Sequence, residues 1–285
     1  MAVAGETLGI IAGGGELPLA IAEAAIGDGR SVFVVWLEGL VTAEDIQRFP
    51  HGVASLGELG KILRLLRGAK CSDVTFAGRV PRPQFSTLKL DARGALALPR
   101  VLAAAAKGDD ALLRALLEIF EKEGFKVIGS DQAARDLLAP EGPLGRLEPT
   151  SQELADIAYA RQVVAAMGAL DIGQSAIVCE GLVLAVEAAE GTDAMIRRVA
   201  ALPETIRGSL ERRRGVMVKA PKPAQERRID LPVVGRRTVE LVADAGLSGI
   251  AIEAGASLIM NRRLVSDVAD ERGVFVFGFP AGDSE

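Results

Sequence analysis

LGIIAGGGELP, at positions 8–18, is the stretch that decides the fold expected for the first half of the chain. Its apolar residues 8–12 predict a buried strand, its three glycines predict a tight turn, and the spacing at 17–26 predicts an amphipathic helix. Pro18 falls in the first turn of that helix, where proline is tolerated. Strand, glycine turn and helix in this order are typical of nucleotide-binding α/β units, because a helix N-terminus presents N–H groups to negative charge.

The glycine turn leaves two interpretations open. Gly13, Gly14 and Gly15 match neither the GxGxxG fingerprint nor a P-loop. The turn therefore either brings the backbone close to a ligand or provides only the tight connection that any strand–helix junction favours. Under the first interpretation, these three glycines are candidates for substrate binding.

Strands and helices continue to alternate along the first half of the chain. Further strands are predicted at 31–37, 73–78 and 125–129, and further helices at 58–67 and 109–123. We therefore expect residues 1–145 to form a Rossmann-like domain with a parallel sheet. Ligands bind beyond the carboxyl ends of strands in such sheets. Gly78 and Arg79 follow a predicted strand and are candidates to reach an anionic group, the alternative being a solvated loop arginine.

The second half predicts another α/β domain, residues 146–285, smaller and with a mixed sheet. It follows a segment at 140–145 that is rich in proline and glycine. Two apolar runs on either side of Glu180-Gly181 predict a β-hairpin. A helix is predicted at 151–166, ahead of the hairpin. Beyond the hairpin, strands are predicted at 215–220, 248–254 and 274–279, and a helix at 238–245.

Composition excludes some classes of protein. The net charge is −5 and the pI is about 5.3, whereas a dedicated nucleic-acid binder needs a basic surface. The sequence shows no signal-type apolar segment at its start and no apolar run approaching the roughly 20 residues of a membrane span. We therefore expect a cytoplasmic protein that binds no nucleic acid.

Few side chains are available for binding transition metals. Cys71 and Cys179 lie far apart in apolar settings and are predicted to be buried, reduced thiols. His51 is the single histidine, and its neighbours predict a turn. These residues cannot assemble the usual zinc site, so a metal would be a hard cation such as Mg²⁺ or Mn²⁺, held by carboxylates and substrate phosphates.

The stretch KAPKPAQERRIDLPVVG, at 219–235, combines charge with three prolines. Proline disfavours a helix here, so the segment is predicted to be a stiff connection that holds Asp230 in one pose. Lys219 and Lys222 lie close to that carboxylate in sequence and suit an anionic substrate. The alternative interpretation is an exposed charged loop.

A second candidate segment is Gly191-Thr192-Asp193, which precedes a predicted helix. Thr192 or Asp193 is a natural N-cap, so the carboxylate of Asp193 either caps the helix or points outward to a metal or a hydroxyl group.

Six segments in order, spanning both predicted domains, resemble the LpxI-type UDP-2,3-diacylglucosamine pyrophosphatases of lipid A biosynthesis. They are LGIIAGGGELP (8–18), FAGRVPRP (76–83), KGDDALLR (107–114), LDIGQSAIVCEGLVLAVEAAEGTDAMIRR (170–198), GVMVKAPKPAQERRIDLPVVG (215–235) and GIAIEAG (249–255). Any one of them is a weak signal, and their order along the chain makes the match specific.

The resemblance implies a hydrolase that splits UDP-2,3-diacylglucosamine into UMP and 2,3-diacylglucosamine 1-phosphate (lipid X). It implies Mg²⁺ as the activator, with Mn²⁺ or Co²⁺ as substitutes, and attack of water on the sugar-side phosphorus. It places the catalytic carboxylate on Asp230, in the IDLP motif, as a metal ligand or base. It further implies a homodimer in the cytoplasm, in peripheral contact with the cytoplasmic face of the inner membrane.

Combining the resemblance with the residues themselves, we expect Asp230 and Asp193 to bind the metal. We expect glycine turns, cations and polar groups of both domains to bind the substrate: Gly13, Gly14, Gly15, Gly78, Arg79, Gln174, Glu180, Gly191, Thr192, Asp193, Lys219 and Lys222.

Two other functions remain open at this point. An NAD(P)-dependent oxidoreductase would use an acidic residue after the second strand to bind ribose hydroxyls, and Glu38 has that position. However, this chain lacks an evident hydride-transfer partner, because Tyr159 lies in a helical pattern without a nearby lysine. The second alternative is a non-catalytic protein that binds a UDP-sugar or a lipid.

Overall fold

The computed structural model describes residues 7–81, 83–222 and 231–281. The chain divides into two compact units, the first extending to Asp136 and the second beginning at Leu137. The boundary lies ahead of the predicted one because Leu138 bridges Leu258, and the N–H of Ala139 donates to the carbonyl of Ser257. The segment at 140–145 therefore belongs to the second unit.

The first unit alternates strands and helices. Its strands are β1 (Thr7–Ala12), β2 (Ser31–Leu37), β3 (His51–Ala54), β4 (Cys71–Ala77) and β5 (Lys126–Val127). Its helices are α1 (Leu17–Gly27), α2 (Ala43–Ile46), α3 (Leu59–Gly68), α4 (Ala92–Ala105), α5 (Asp109–Lys122) and α6 (Ser130–Ala133), with 3₁₀ turns at Phe85–Thr87 and Arg135–Leu137. Within the described residues, the strands form one parallel sheet in the order β3-β2-β1-β4-β5, which confirms the Rossmann-like prediction.

Both faces of the first sheet are covered. Ile11 and Val35 pack with residues of α3 and α5, including Leu63 and Phe120, in one apolar cluster. The alternate residues of these strands point to the other face of the sheet. Among them Ile10 is equally buried, on the face next to α1. A sheet buried on both faces explains why its strands are continuous apolar runs without alternation.

Strand β3 and helix α4 are two of the elements in the first unit that differ from the sequence prediction. His51, expected in a turn, is the first residue of strand β3, which is four residues long, pairs with β2 and follows Pro50. Helix α4 was not predicted, because Pro99 lies inside it and proline usually ends a helical pattern. The helix is started by Asp91, whose carboxylate accepts from the N–H of Gly94 at 2.8 Å.

The second unit contains a longer set of elements. Its strands are β6 (Gly142–Pro143), β7 (Ser175–Cys179), β8 (Leu182–Val186), β9 (Val216–Lys219), β10 (Val233–Val234), β11 (Gly249–Glu253), β12 (Leu258–Ile259) and β13 (Phe275–Phe279). Its helices are α7 (Ser151–Ala169), α8 (Thr192–Ala200), α9 (Glu204–Arg207), α10 (Arg236–Asp244) and α11 (Arg262–Arg272). Thr150 starts α7 with a capping box, in which it exchanges hydrogen bonds with Glu153.

The main sheet of the second unit is mixed, as predicted. Over the described residues its order is β6-β13-β11-β9-β7-β8, with β9, β11 and β13 parallel and with β7 antiparallel to both β8 and β9. Strands β10 and β12 form a separate parallel pair. Among the described residues, this sheet has six strands, compared with five in the first sheet.

Helices cover both faces of the second sheet. One face packs against α8, α10 and α11 through a large apolar cluster that includes Ile177, Met217 and Ile252. The other face packs against α7, with Val178 and Val218 in contact with the cluster that contains Ile157. None of the helices in the described residues is long and apolar enough to cross a bilayer.

Candidate functional site

Three strands of the second sheet bring polar side chains to one edge. Strand β9 ends at Lys219, and β7, which runs the opposite way, begins at Ser175 directly opposite it. Strand β8 ends at Val186, and the N–H of the next residue, Glu187, donates to the carbonyl of Ser175 at 2.8 Å. Because residues opposite each other in a ladder share a face, Lys219, Ser175 and Glu187 lie on the face covered by α8.

These side chains form a buried chain of hydrogen bonds. The ammonium of Lys219 donates to Oγ1 of Thr192 at 3.0 Å, and the hydroxyl of Thr192 donates to Oε1 of Glu187 at 2.8 Å. Nζ of Lys219 also lies 3.4 Å from the carbonyl oxygen of Val233. Lys219 and Glu187 are each only 7 % exposed. A buried cation is therefore held at a fixed position at the carboxyl end of β9.

Helix α8 begins at this place because of Gly191, its N-cap, which has a φ of 79°. The predicted capping is wrong, since Thr192 is already the first residue of the helix and no side chain caps it. The hydroxyl of Thr192 is directed to Glu187 instead. Asp193 lies 2.8 Å from Arg237 and 3.8 Å from Arg197 in ion pairs.

Two further predicted residues lie beside the end of β9. The carbonyl of Gln174 accepts from the N–H of Ala220 at 3.1 Å, and its side-chain oxygen is buried without a partner among the described residues. The ammonium of Lys222 pairs with Asp171 at 2.6 Å. Gln174 thus lies near Lys219 in space, and Lys222 lies near it in sequence, although the described contacts of Lys222 direct its charge to Asp171.

Glu180 is not brought to this edge. Strand β7 runs from Ser175 to Cys179, and its far end pairs with the beginning of β9, so Glu180 lies at the opposite edge of the sheet. There it forms the hairpin turn with Gly181, both residues having positive φ, and pairs with Arg214 at 2.9 Å. The hairpin prediction is confirmed, and the turn accounts for Glu180 in structural terms.

In the first unit, the two predicted glycine segments meet. Gly14 and Arg79 exchange backbone hydrogen bonds of 2.8 and 2.9 Å, and the N–H of Gly13 donates to the carbonyl of Ala77. A Cβ on Gly13 would lie 2.7 Å from the carbonyl oxygen of Arg79, and one on Gly78 would lie 2.7 Å from that of Gly14. Close approach of the two turns therefore requires these glycines, and the N–H groups of Gly13 and Gly14 are already used.

The meeting point of these turns is where an α/β sheet usually binds ligands. Strand order reverses between β1 and β4, because β2 and β3 extend the sheet on one side of β1 and β4 and β5 on the other. Crevices at such switch points bind nucleotides and other anions. The side chain of Arg79 is exposed there and follows β4, as the sequence predicted. Glu38 follows β2 and accepts a hydrogen bond from the hydroxyl of Ser55.

The predicted catalytic residue, Asp230, lies outside the described residues. Of the two predicted metal ligands, Asp193 alone is described, and it is ion-paired with arginines. No group of three or more metal-ligating side chains occurs among the residues that the structure describes.

The two cysteines are unsuited to nucleophilic chemistry. Cys71 and Cys179 are buried and form no disulfide, as predicted. Burial raises the pKa of each thiol to about 11, so very little thiolate is present near neutral pH.

Sequence reasoning missed Glu187, which the structure places at the centre of the site. A signal was present, because Glu187 is the charged residue that directly follows an apolar strand. Placing the hairpin turn at Glu180-Gly181 also puts Glu187 near Ser175 at the start of β7. Its link to Lys219 depends on the distant pairing of β7 with β9, which sequence periodicity does not reveal.

The first unit has a glycine-turn crevice at its switch point, and the second has a buried polar cluster where its central strands end. Such features are typical of ligand-binding and catalytic proteins of the α/β class. The chain belongs to the LpxI family. The model of the LpxI N-terminal domain matches residues 7–137, and that of the LpxI C-terminal domain matches residues 140–277. This confirms the family predicted from the six segments.

A curated relative supports the same assignment. The chain is 51 % identical over 271 residues to UDP-2,3-diacylglucosamine pyrophosphatase LpxI of Caulobacter vibrioides (strain ATCC 19089 / CIP 103742 / CB 15), covering 95 % of this chain and 96 % of that protein. Two solved structures are much less similar to this chain. CobK precorrin-6A reductase is 12 % identical with a TM-score of 0.33, covering 99 % of this chain and 90 % of that one. UDP-glucose 4-epimerase of Thermus thermophilus, in complex with NAD, is 13 % identical with a TM-score of 0.31, covering 98 % and 88 %.

Proposed function

We propose that this chain hydrolyses the pyrophosphate bond of UDP-2,3-diacylglucosamine, giving UMP and 2,3-diacylglucosamine 1-phosphate (lipid X) in lipid A biosynthesis. The observation that carries the proposal is the 51 % identity, over nearly the full length of both chains, to the Caulobacter protein of that name. The geometry of the second unit supports it, because a pyrophosphate carries negative charge and needs fixed cations for its binding and cleavage.

Lys219 is the cation best placed for this task among the described residues. It is buried, so solvent screens its charge weakly, and Thr192 and Val233 hold its ammonium in place. The N-terminus of α8 lies next to it and adds the partial positive charge of a helix end. In our proposal Lys219 neutralises phosphate oxygens, and Lys222 and Gln174 also belong to the substrate-binding site.

Asp230 is proposed as the catalytic carboxylate. The next residue, Leu231, is buried, so the chain just after Asp230 is anchored in the second unit. Replacing Asp230 with Ala should abolish turnover and leave substrate affinity largely intact, because the charge acts mainly on the transition state. Retention of more than about a tenth of the wild-type kcat would assign the catalytic role to another residue.

We propose Mg²⁺ as the activator, with Mn²⁺ or Co²⁺ as substitutes and with Asp230 and Asp193 as protein ligands. When bound, such a cation would neutralise phosphate oxygens and orient water. Support for the metal comes from the resemblance, since the described residues do not assemble a site. Loss of turnover in EDTA and its return on adding Mg²⁺ would support the metal, and unchanged turnover in EDTA would refute it.

The experiment that tests the function follows UMP release from UDP-2,3-diacylglucosamine, with Mg²⁺ and with EDTA. Release of UMP with lipid X supports hydrolysis. Tight binding without turnover supports the non-catalytic alternative, and a bound dinucleotide supports the oxidoreductase alternative. In ¹⁸O-water, our proposal that water attacks the sugar-side phosphorus predicts the label in lipid X, whereas label in UMP would refute it.

We further propose a homodimer in the cytoplasm that touches the inner membrane peripherally. A diacylated substrate resides in a bilayer, and α4 of the first unit exposes Leu96 (86 %) and Leu102 (41 %). Exposed apolar residues on a helix are suited to insertion at the level of the lipid headgroups. Sedimentation velocity tests the dimer, and co-sedimentation with anionic vesicles tests the membrane contact.

A further inference from the structure

Glu187 is buried in a way that folding alone does not explain. It is 7 % exposed, its Oε1 accepts one hydrogen bond from Thr192, and its Oε2 has no partner among the described residues. Buried carboxylates in native proteins normally have most of their hydrogen-bonding capacity satisfied. A buried carboxylate with an oxygen that has no partner calls for a functional explanation.

A buried carboxylate with a structural role occurs in the same unit. Asp156, on α7, is 2 % exposed, and its two oxygens accept the backbone N–H groups of Glu180 and Gly181, each at 2.8 Å. These bonds hold the hairpin turn, and the side chain has no described link to Lys219. Asp156 therefore serves as a matched comparison for Glu187.

The hydrogen bonds of Glu187 have a fixed direction. A threonine hydroxyl has one proton, and a carboxylate can only accept, so the proton of Thr192 is directed to Glu187. The lone pairs of the same oxygen are then turned toward the ammonium of Lys219, 3.0 Å away. If Glu187 lost its charge, the hydroxyl of Thr192 would be less firmly oriented and would be a weaker acceptor for Lys219.

We propose that Glu187 is a positioning residue, which orients the ammonium of Lys219 through the hydroxyl of Thr192. The proposal rests on the proposed function in so far as Lys219 binds the pyrophosphate. Glu187 itself does not touch the phosphates. Its contribution is to hold a buried cation, which could otherwise change rotamer, in one orientation.

The test uses the full-length protein with Glu187→Gln, Thr192→Val, Thr192→Ser and the double variant Glu187→Gln/Thr192→Val. Glu187→Gln and Thr192→Val should each lower kcat/KM by about tenfold to a hundredfold, the usual cost of losing a supporting partner of a site residue. Thr192→Ser keeps the hydroxyl and should stay within about threefold of wild type. Because both residues act along one path, the double variant should be no worse than Thr192→Val.

Asp156→Asn is the matched control. Removing this buried carboxylate should lower the melting temperature of the protein. It should leave kcat/KM within about twofold of wild type, because Asp156 has no described hydrogen-bond link to Lys219. Additive losses in the double variant, or wild-type kcat/KM in Glu187→Gln, would overturn the proposal. If Glu187→Gln does not fold, the contrast between Thr192→Val and Thr192→Ser decides, since equal losses in both would also overturn it.

A second measurement separates failure of this proposal from failure of the proposed function. The side-chain ¹⁵Nζ resonance of Lys219, identified by its disappearance in Lys219→Met, reports the order of the ammonium without any turnover. It should be sharp in the wild type and in Thr192→Ser, and lost by exchange with water in Glu187→Gln and Thr192→Val. Absence of UMP release by the wild type would refute the function alone, whereas a resonance unchanged in all variants would refute the role of Glu187.

Discussion

Lys219→Met is the substitution that most directly tests the site. Methionine keeps much of the length of the lysine side chain and removes the charge, so the position remains filled while the ammonium that faces Thr192 is lost. If Lys219 neutralises a phosphate oxygen, the loss should appear in kcat/KM, which reports the stabilisation of the transition state relative to free enzyme and substrate.

The expected magnitude follows from the burial of Lys219. Two unit charges about 4 Å apart attract by about 4 kcal/mol at an effective dielectric constant of about 20, and by only about 1 kcal/mol in water. Because Lys219 is 7 % exposed, the larger value is the appropriate one. At about 1.4 kcal/mol per factor of ten, we expect kcat/KM to fall by roughly three orders of magnitude.

The assay measures initial rates of UMP release over a range of substrate concentrations, with circular dichroism to show that the variant is folded at the assay temperature. Lys61→Met serves as the control, because Lys61 is a half-exposed lysine on α3 that pairs with Glu58 at 3.4 Å. It should leave kcat/KM within about twofold, since exposed ion pairs contribute little. A folded Lys219→Met variant within tenfold of wild type would refute the role given to Lys219.

Three other predictions concern stability, thiol chemistry and membrane contact. Asp156→Asn should lower the free energy of unfolding by about 1–3 kcal/mol, measured by urea titration, and an unchanged value would refute its structural role. Burial raises the pKa of the Cys71 and Cys179 thiols from 9.0 to about 11, so at pH 8 iodoacetamide should alkylate them about a hundredfold more slowly than in unfolded protein, as mass spectrometry can show. The unfolded chain forms thiolate first, so stability should fall as the pH rises from about 9 to about 11, and equal alkylation rates would contradict both effects. Leu96→Glu should weaken co-sedimentation with anionic vesicles about tenfold, whereas Leu170→Glu, also at an exposed leucine, should not, and equal binding by both variants would exclude α4 as the contact.

The fold could be predicted from the sequence to a large extent, because most elements have strong apolar patterns. Strand β2 at Ser31–Leu37 has the predicted bounds, and α1, α5 and α7 begin at the predicted residues. Two of the missed elements carry conflicting local signals. Strand β3 is short and follows a proline, and α4 contains Pro99, so in both cases tertiary contacts override the local preference.

The candidate site could be predicted only in part. Lys219 and Thr192 were identified from their segments, and the structure joins them directly. Glu180 and Glu187 show the limit of sequence reasoning, since both are glutamates next to strands of one hairpin. The pairing of β7 with β9 decides which of them reaches Lys219, and that pairing depends on contacts between residues far apart in the chain.

The reversed direction of β7 has a consequence for engineering the protein. The hairpin that contributes Ser175 and Glu187 to one rim of the sheet makes its reversal at Glu180-Gly181, on the rim farthest from them. A fluorophore or a short peptide tag grafted onto that reversal would lie at the opposite end of the second sheet from Lys219, provided that the backbone bonds to Asp156 are retained. The protein thus carries its own attachment point, at the end of this sheet opposite to Lys219, Thr192 and Glu187.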